Sequence, residues 1–257
     1  MKKLLPVVIV GLLCLVGCSK IKEALAKKPR NLTTNPLVIK GVLFLDPETL
    51  EPYSGKVYEQ GSGGKLDWEG VLLNGKKHGL HTSYRTGGTK DKETNFKEGK
   101  QHGLDTSYNR DGTKSFETNY KEGEKHGLFT SYYDDRTKKW ETNYKEGKEH
   151  GLETVYRKDG TKKFVRNYKN GTKLFEQPYK EGKLHGLQTY YYEHGTKVYE
   201  VKLHGLDTFY RIDGTKSSET NYKEGKKHGL ETWYSIAGTK KVECQYSNGV
   251  QGKCKTF

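Results

Sequence analysis

Residues 100–123 read KQHGLDTSYNRDGTKSFETNYKEG (Lys100–Gly123), and the next 24 residues repeat them as EKHGLFTSYYDDRTKKWETNYKEG. The His of this unit falls at His78, His102, His126, His150, His185, His204 and His228. The spacing is 24 residues from His78 to His150 and again from His204 to His228. A period in this range marks a repeat array, in which one supersecondary unit cannot bury its own face and stacks on its neighbours. Within a unit Leu104, Thr106 and Tyr108 alternate with Asp105 and Ser107. Past the Asp111-Gly112 break, Phe116, Thr118 and Tyr120 alternate with Glu117, Asn119 and Lys121. Period-2 alternation rich in Thr and Tyr predicts half-buried strands. Breaks at Asp-Gly on one side and Lys-Glu-Gly-Lys on the other predict tight turns. Each unit therefore reads as a hairpin, and the chain as an all-β, elongated antiparallel meander of tandem hairpins.

The pleat assigns faces. Leu, Thr and Tyr of the first strand are expected on one face with the aromatic, Thr and Tyr of the second, as in Trp140, Thr142 and Tyr144. Glu117, Glu141, Asn119 and Asn143 are expected opposite, beside Lys. Tyr84, Tyr108, Tyr132, Tyr156, Tyr191, Tyr210 and Tyr234 hold one place in each unit and should form a row, either the packed side of the sheet or a binding strip. Upstream, Leu66–Glu69 and Tyr53–Tyr58 read as strands of the same kind, and Val38–Asp46 as a first strand or a cap. The count comes to roughly eighteen or nineteen strands by the repeat template. The array is irregular between His150 and His204: Gly160-Thr161-Lys162 is echoed at Gly171-Thr172-Lys173, and a stretch is missing after Glu200, so a bend or register change is expected there.

Of 257 residues, 46 are Lys or Arg and 32 Asp or Glu, a formal charge of +14; only 32% are hydrophobic, too few for a large aliphatic core. Nineteen Tyr and eight Phe are nonetheless too many for disorder. A basic surface favours acidic partners such as headgroups, anionic envelope polymers or an acidic protein. Nucleic acid is not expected, because no stacking or helix-turn-helix module is present.

The chain begins with Lys2-Lys3 and an apolar run, Leu4–Val16, too short to span a bilayer. It ends in Leu15-Val16-Gly17-Cys18, which resembles a bacterial lipobox. The resemblance implies a lipoprotein signal peptide over 1–17, with Cys14 inside it, and lipidation at Cys18. Residues 18–36 then form a basic tether without a sustained apolar period, with one helical turn around Lys22–Lys28, and 37–257 the repeat array. Ser19 after the lipidated Cys favours the outer membrane in a Gram-negative envelope.

The string Tyr-Lys-Glu-Gly-Lys-x-His-Gly-Leu-x-Thr-x-Tyr resembles the MORN repeat, and more closely the bacterial variant of YwqK-type proteins, over about residues 53–257. Gly-Thr-Lys stands here where that variant has Asn-Gly-Lys. The resemblance implies a scaffold, in some relatives one for acidic lipid, and in others an antitoxin component. The expected function is a lipid-anchored envelope scaffold, non-enzymatic, for a protein or anionic partner; the alternative is an antitoxin or immunity protein.

Catalytic or cofactor chemistry is not expected. Equivalent His residues two strands apart lie about 9.5 Å from one another, too far to share a zinc ion bound at about 2.0–2.1 Å; they read as turn residues. Glu117, Glu141 and Asp159 recur in every unit instead of forming one pair with diverging environments. Gly61-Ser62-Gly63-Gly64 lacks the Lys-Ser/Thr ending of a phosphate loop. Cys244 and Cys254 flank the Asn248-Gly249 turn of the last hairpin and, in an oxidising compartment, read as a staple on a fraying edge or as two unpaired thiols.

Overall fold

The computed structural model describes residues 19–202 and 205–257. The expected signal peptide over 1–17, Cys18 and His204 lie outside the described residues. The chain is nearly all β, 63% strand against 5% helix, so the period-2 reading of the repeat holds. It divides into two compact units, one through His126 and one from Gly127.

In the first unit the strands Gly55–Gln60, Leu66–Leu73, Lys76–Tyr84, Lys90–Lys97, Lys100–Tyr108 and Lys114–Lys121 follow one another as an open antiparallel meander. In the second, Glu124–Tyr132 pairs with Lys138–Lys145, and the meander runs on to Val250–Thr256. Among the described residues the strands of these meanders and the strand paired to them number twenty, slightly more than the repeat count suggests. One additional strand comes from the segment read as a tether. Arg30–Asn31 pairs in parallel with Gly55–Gln60, and Arg30 holds Asp46 at 2.8 Å and the Asn35 carbonyl at 2.9 Å. Val38–Lys40 and Leu43–Leu45 form a separate two-stranded hairpin instead of one strand. Residues 19–26 are helical, earlier and longer than the single turn expected. Ile21, Ala24 and Leu25 recur at helical spacing, and Ala24 is buried.

Two turn types alternate. The Glu-Gly turns leave two residues between strands, both with positive φ, as in Glu98 (50°) and Gly99 (85°). That is the type I′ geometry whose twist matches a hairpin. At the other end, the N–H of Gly112 donates to the Asn109 carbonyl at 3.0 Å, and the Asp111 carboxylate accepts the Thr113 N–H at 2.9 Å and its hydroxyl at 2.6 Å. Asp135, Asp159 and Asp213 repeat that arrangement with Thr137, Thr161 and Thr215.

The His-Gly pair is not in a turn. In the regular units it lies inside the strand, at a bulge, where the register runs Phe96↔Gln101, then resumes at Thr94↔Asp105; His185-Gly186 falls between strands instead. Gly103 has φ 92°, which permits the extra residues. The Asn of Glu-Thr-Asn-Tyr serves this bulge: the Asn95 amide donates to the Leu104 carbonyl at 2.7 Å, and Asn221 to Leu230 at 3.0 Å.

The register also corrects the faces. Thr106 stands opposite Glu117 and Leu104 opposite Asn119, so Leu, Thr and Tyr of the first strand share a face with Glu and Asn. Asp105 stands opposite Thr118 and Ser107 opposite Phe116, placing the second strand's aromatics with the first strand's x-residue. Alternation within a strand says which residues go together; only the register between strands says which sets meet.

In the irregular stretch the meander continues with shorter strands. Thr172–Lys180 pairs with both Lys183–Leu184 and Gln188–Tyr191, and Lys197–Val201 follows. Here the second face stacks Phe175, Tyr190, Tyr199 and Phe209, with successive ring centroids 5.9, 4.3 and 5.3 Å apart.

Candidate functional site

The Tyr row runs along the Leu-Thr face, half-buried, with its hydroxyls engaged. Tyr84 donates to Glu69 at 2.6 Å, Tyr156 to Glu141 at 2.8 Å, Tyr210 to Glu200 at 2.9 Å and Tyr234 to Glu219 at 2.6 Å; Tyr108 donates to Glu93. Each reaches diagonally to the strand before its own. Except for Glu69, the same carboxylates take a Lys three residues earlier, as Lys138 to Glu141 and Lys216 to Glu219, both at 2.6 Å. Tyr191 departs from the pattern and lies under the Lys173 ammonium, 4.8 Å from its ring centroid. The network sets the ionisation of its members. Burial raises the Tyr108 hydroxyl, and the hydrogen bond to and charge of Glu93 raise it further, to about 12. Burial works against ionisation of Glu93, but hydrogen bonds from Lys90 and Tyr108 outweigh it and hold the carboxyl below its ordinary value.

Beside this network runs a row of outward leucines. Leu80 and Leu104 in the first unit are 48% and 41% exposed; in the second, Leu128, Leu152, Leu187, Leu206 and Leu230 range from 39% to 53%. The Tyr row is thus a cross-linked, amphipathic surface whose polar tips point at carboxylates.

The opposite face carries a feature the sequence reading missed. The x-residue of His-Gly-Leu-x-Thr is buried in most units: His81, Asp105, Glu153, Gln188, Asp207 and Glu231. Neighbouring cations compensate most of the acids. Lys92 meets Asp105 at 3.0 Å, Arg166 meets Glu153 at 2.8 Å and Lys227 meets Glu231 at 2.7 Å. Asp207 accepts the Lys202 N–H at 3.0 Å, and burial raises its carboxyl. A signal was present: at this position the repeat exchanges acids with Phe129, and Phe129 packs on Trp140 at 4.9 Å. A site that accepts Phe, Glu and His in turn is an interior one.

The repeat histidines stay apart. The Nδ1 atoms of His78, His102 and His228 are buried without a hydrogen bond, although the Glu122 carboxylate stands 3.3 Å from that of His102. His150 meets Asn170 at 3.2 Å. Among the described residues no three metal-ligating side chains converge. Cys244 and Cys254 stand directly opposite each other in the last pair of strands and are joined by a disulfide. Among the described residues no helix is long and apolar enough to cross a membrane.

Consecutive hairpins are stitched at their turns by the residue after the row Tyr. Arg85 donates to the carbonyls of Tyr108 and Asn109 at 2.6 and 3.1 Å, and Arg211 to that of Tyr234 at 2.5 Å. Tyr133 makes the same reach with its hydroxyl, to the Tyr156 carbonyl at 2.9 Å. The sequence showed these side chains only as turn residues. No family model matches this chain, and no curated protein matches it.

Proposed function

We propose that the protein is a lipid-anchored scaffold of the bacterial envelope, held at Cys18, whose MORN-like array binds a protein or anionic partner without transforming it. The observation that carries this reading is the recurrence of one outward surface at successive hairpins. An exposed Leu sits beside a Lys–Glu–Tyr network whose side chains are held by their own hydrogen bonds. Pre-held side chains lose little conformational freedom when a partner arrives, and a repeated contact multiplies a weak one. The basic charge of +14 supports an acidic counterpart. The apolar run before Cys18 supports the anchor.

The test is crosslinking capture from intact cells with the full lipoprotein, compared with Cys18→Ala and with Leu128→Asp/Leu152→Asp. The reading expects acyl labelling lost in the first variant and the captured partner lost in the second. Acyl labelling that persists without Cys18 overturns the anchor. A partner retained by the double Asp variant overturns the surface.

A further inference from the structure

Lys77 lacks the acidic neighbour that its counterpart Lys227 has. Lys227 sits over the Tyr246 ring, 4.9 Å from its centroid, and is neutralised by Glu231 at 2.7 Å. Lys77 holds the same place in the first unit, but the residue at the position of Glu231 is His81. The His81 ring is 6% exposed; its Nε2 lies 2.8 Å from the Val71 carbonyl, and it packs so closely over Gly70 that a Cβ there would stand 2.2 Å from it. Burial holds this imidazole down at about 4, opposed by the Val71 hydrogen bond and aided by the charges of Lys77 and His78, so it is neutral at pH 7. Lys77 is left half-buried, and among the described residues no carboxylate lies in ion-pair reach of it. Its ammonium rests between two aromatic rings, 5.7 Å from the centroid of Trp68 and 5.1 Å from that of Phe96.

These groups line a cavity of about 270 Å³, with Asp67 and Ser83 among its polar lining. A second cavity of about 490 Å³, walled by Phe44 of the N-terminal hairpin, shares Lys77 and Phe96. Small-molecule sites combine apolar walls with a few placed polar groups, and an uncompensated ammonium favours an anion. A pyranose offers a flat C–H face to an aromatic ring and a hydroxyl edge to side chains such as Asp67 and Ser83. We propose that the cavity around Lys77 binds an anionic sugar residue, its ring against Trp68 and Phe96 and its carboxylate or phosphate on Lys77. The inference deepens the scaffold reading and rests on it for the presence of an envelope polymer.

Trp140→Phe/Trp233→Phe leaves Trp68 as the sole tryptophan reporter in the full chain, purified in detergent. Titration with tetragalacturonate and with a hexose phosphate should each be compared with neutral maltotetraose. The expected result is a saturable change in Trp68 emission with an anionic sugar and none with the neutral one. A response to the uronate alone or to the phosphate alone supports the site and names its anion. Lys77→Ala should weaken binding at least tenfold and Lys77→Arg restore most of it, while Lys227→Ala should leave it unchanged; far-UV circular dichroism of each variant checks the fold. No saturable response to either anion, an equal response to the neutral sugar, or full binding by folded Lys77→Ala overturns the proposal. Such a failure leaves the capture experiment, which does not use sugars, standing.

Discussion

The Tyr234 hydroxyl donates to the Glu219 carboxylate at 2.6 Å, 15 residues back along the chain and on the adjoining strand. That carboxylate also takes Lys216 at 2.6 Å. The same three-membered contact recurs along the array, which makes pH a probe of its folding.

On the acid side, Glu93, Glu141, Glu200 and Glu219 are held below their ordinary value: burial opposes this, and the Lys and Tyr hydrogen bonds prevail. Their contribution is fully present above the unfolded carboxylate pKa and is lost as pH falls through the folded one. Stability measured by urea melts should therefore fall progressively below about pH 4.5. A flat profile between pH 6 and 3 would remove the carboxylates from the stabilising network.

At the alkaline end, Tyr84, Tyr108 and Tyr210 are raised to about 12, first by burial and then by their Glu partners, and Tyr234 first by its hydrogen bond to Glu219. A raised Tyr contributes stability that is intact below the unfolded value near 10 and is lost as pH rises toward 12. Spectrophotometric titration should show a Tyr fraction ionising late, and stability should decline over that window. Uniform ionisation near pH 10 in the folded protein would contradict the contacts.

Glu146 has φ 50° in a two-residue turn, while Asn74, Asn170 and Asn248 fill the same place in their own turns with φ 52°, 52° and 50°. A left-handed backbone costs an ordinary side chain roughly 1–2 kcal/mol and Asn less. Glu146→Asn should stabilise the second unit by about 0.5–1 kcal/mol in chemical denaturation. Destabilisation would show that Glu146 makes a contact worth more than the strain.

Arg211→Ala removes the bridge to the Tyr234 carbonyl and a second bond to the carbonyl of Lys216. Hydrogen bonds to a charged donor contribute about 1.5–3 kcal/mol, so a loss of about that size is expected. Arg211→Lys should recover only part of it, because one ammonium cannot reproduce the guanidinium fork. Full recovery by Lys would reduce the bridge to simple charge.

Reduction of Cys244–Cys254 opens a closed loop of separation 10 in the last hairpin. Loop-closure entropy suggests a loss of about 2–3 kcal/mol. Hydrogen exchange across residues 240–257 should quicken on reduction while the rest of the second unit keeps its protection. Unchanged exchange would mean that pairing alone holds the edge.

The sequence by itself determined the strands, the turns and the repeat, because each is written in local chemistry: alternation of Thr and Tyr, Asp-Gly and Glu-Gly breaks, and a 24-residue return. It also gave the row Tyr one equivalent position in each unit. What it could not decide was which residues meet across strands. The bulge at His-Gly shifts the register, and register is a non-local property that a period of two cannot report. The tertiary structure alone therefore put Glu117 opposite Thr106, buried Asp105 and Glu153 behind Lys92 and Arg166, and made turn residues such as Arg85 into bridges between hairpins. The solitary charge of Lys77 belongs to the same class. Both Lys77 and His81 are plain in the sequence, but only the packing of His81 over Gly70 shows that the usual acid is replaced by a neutral ring.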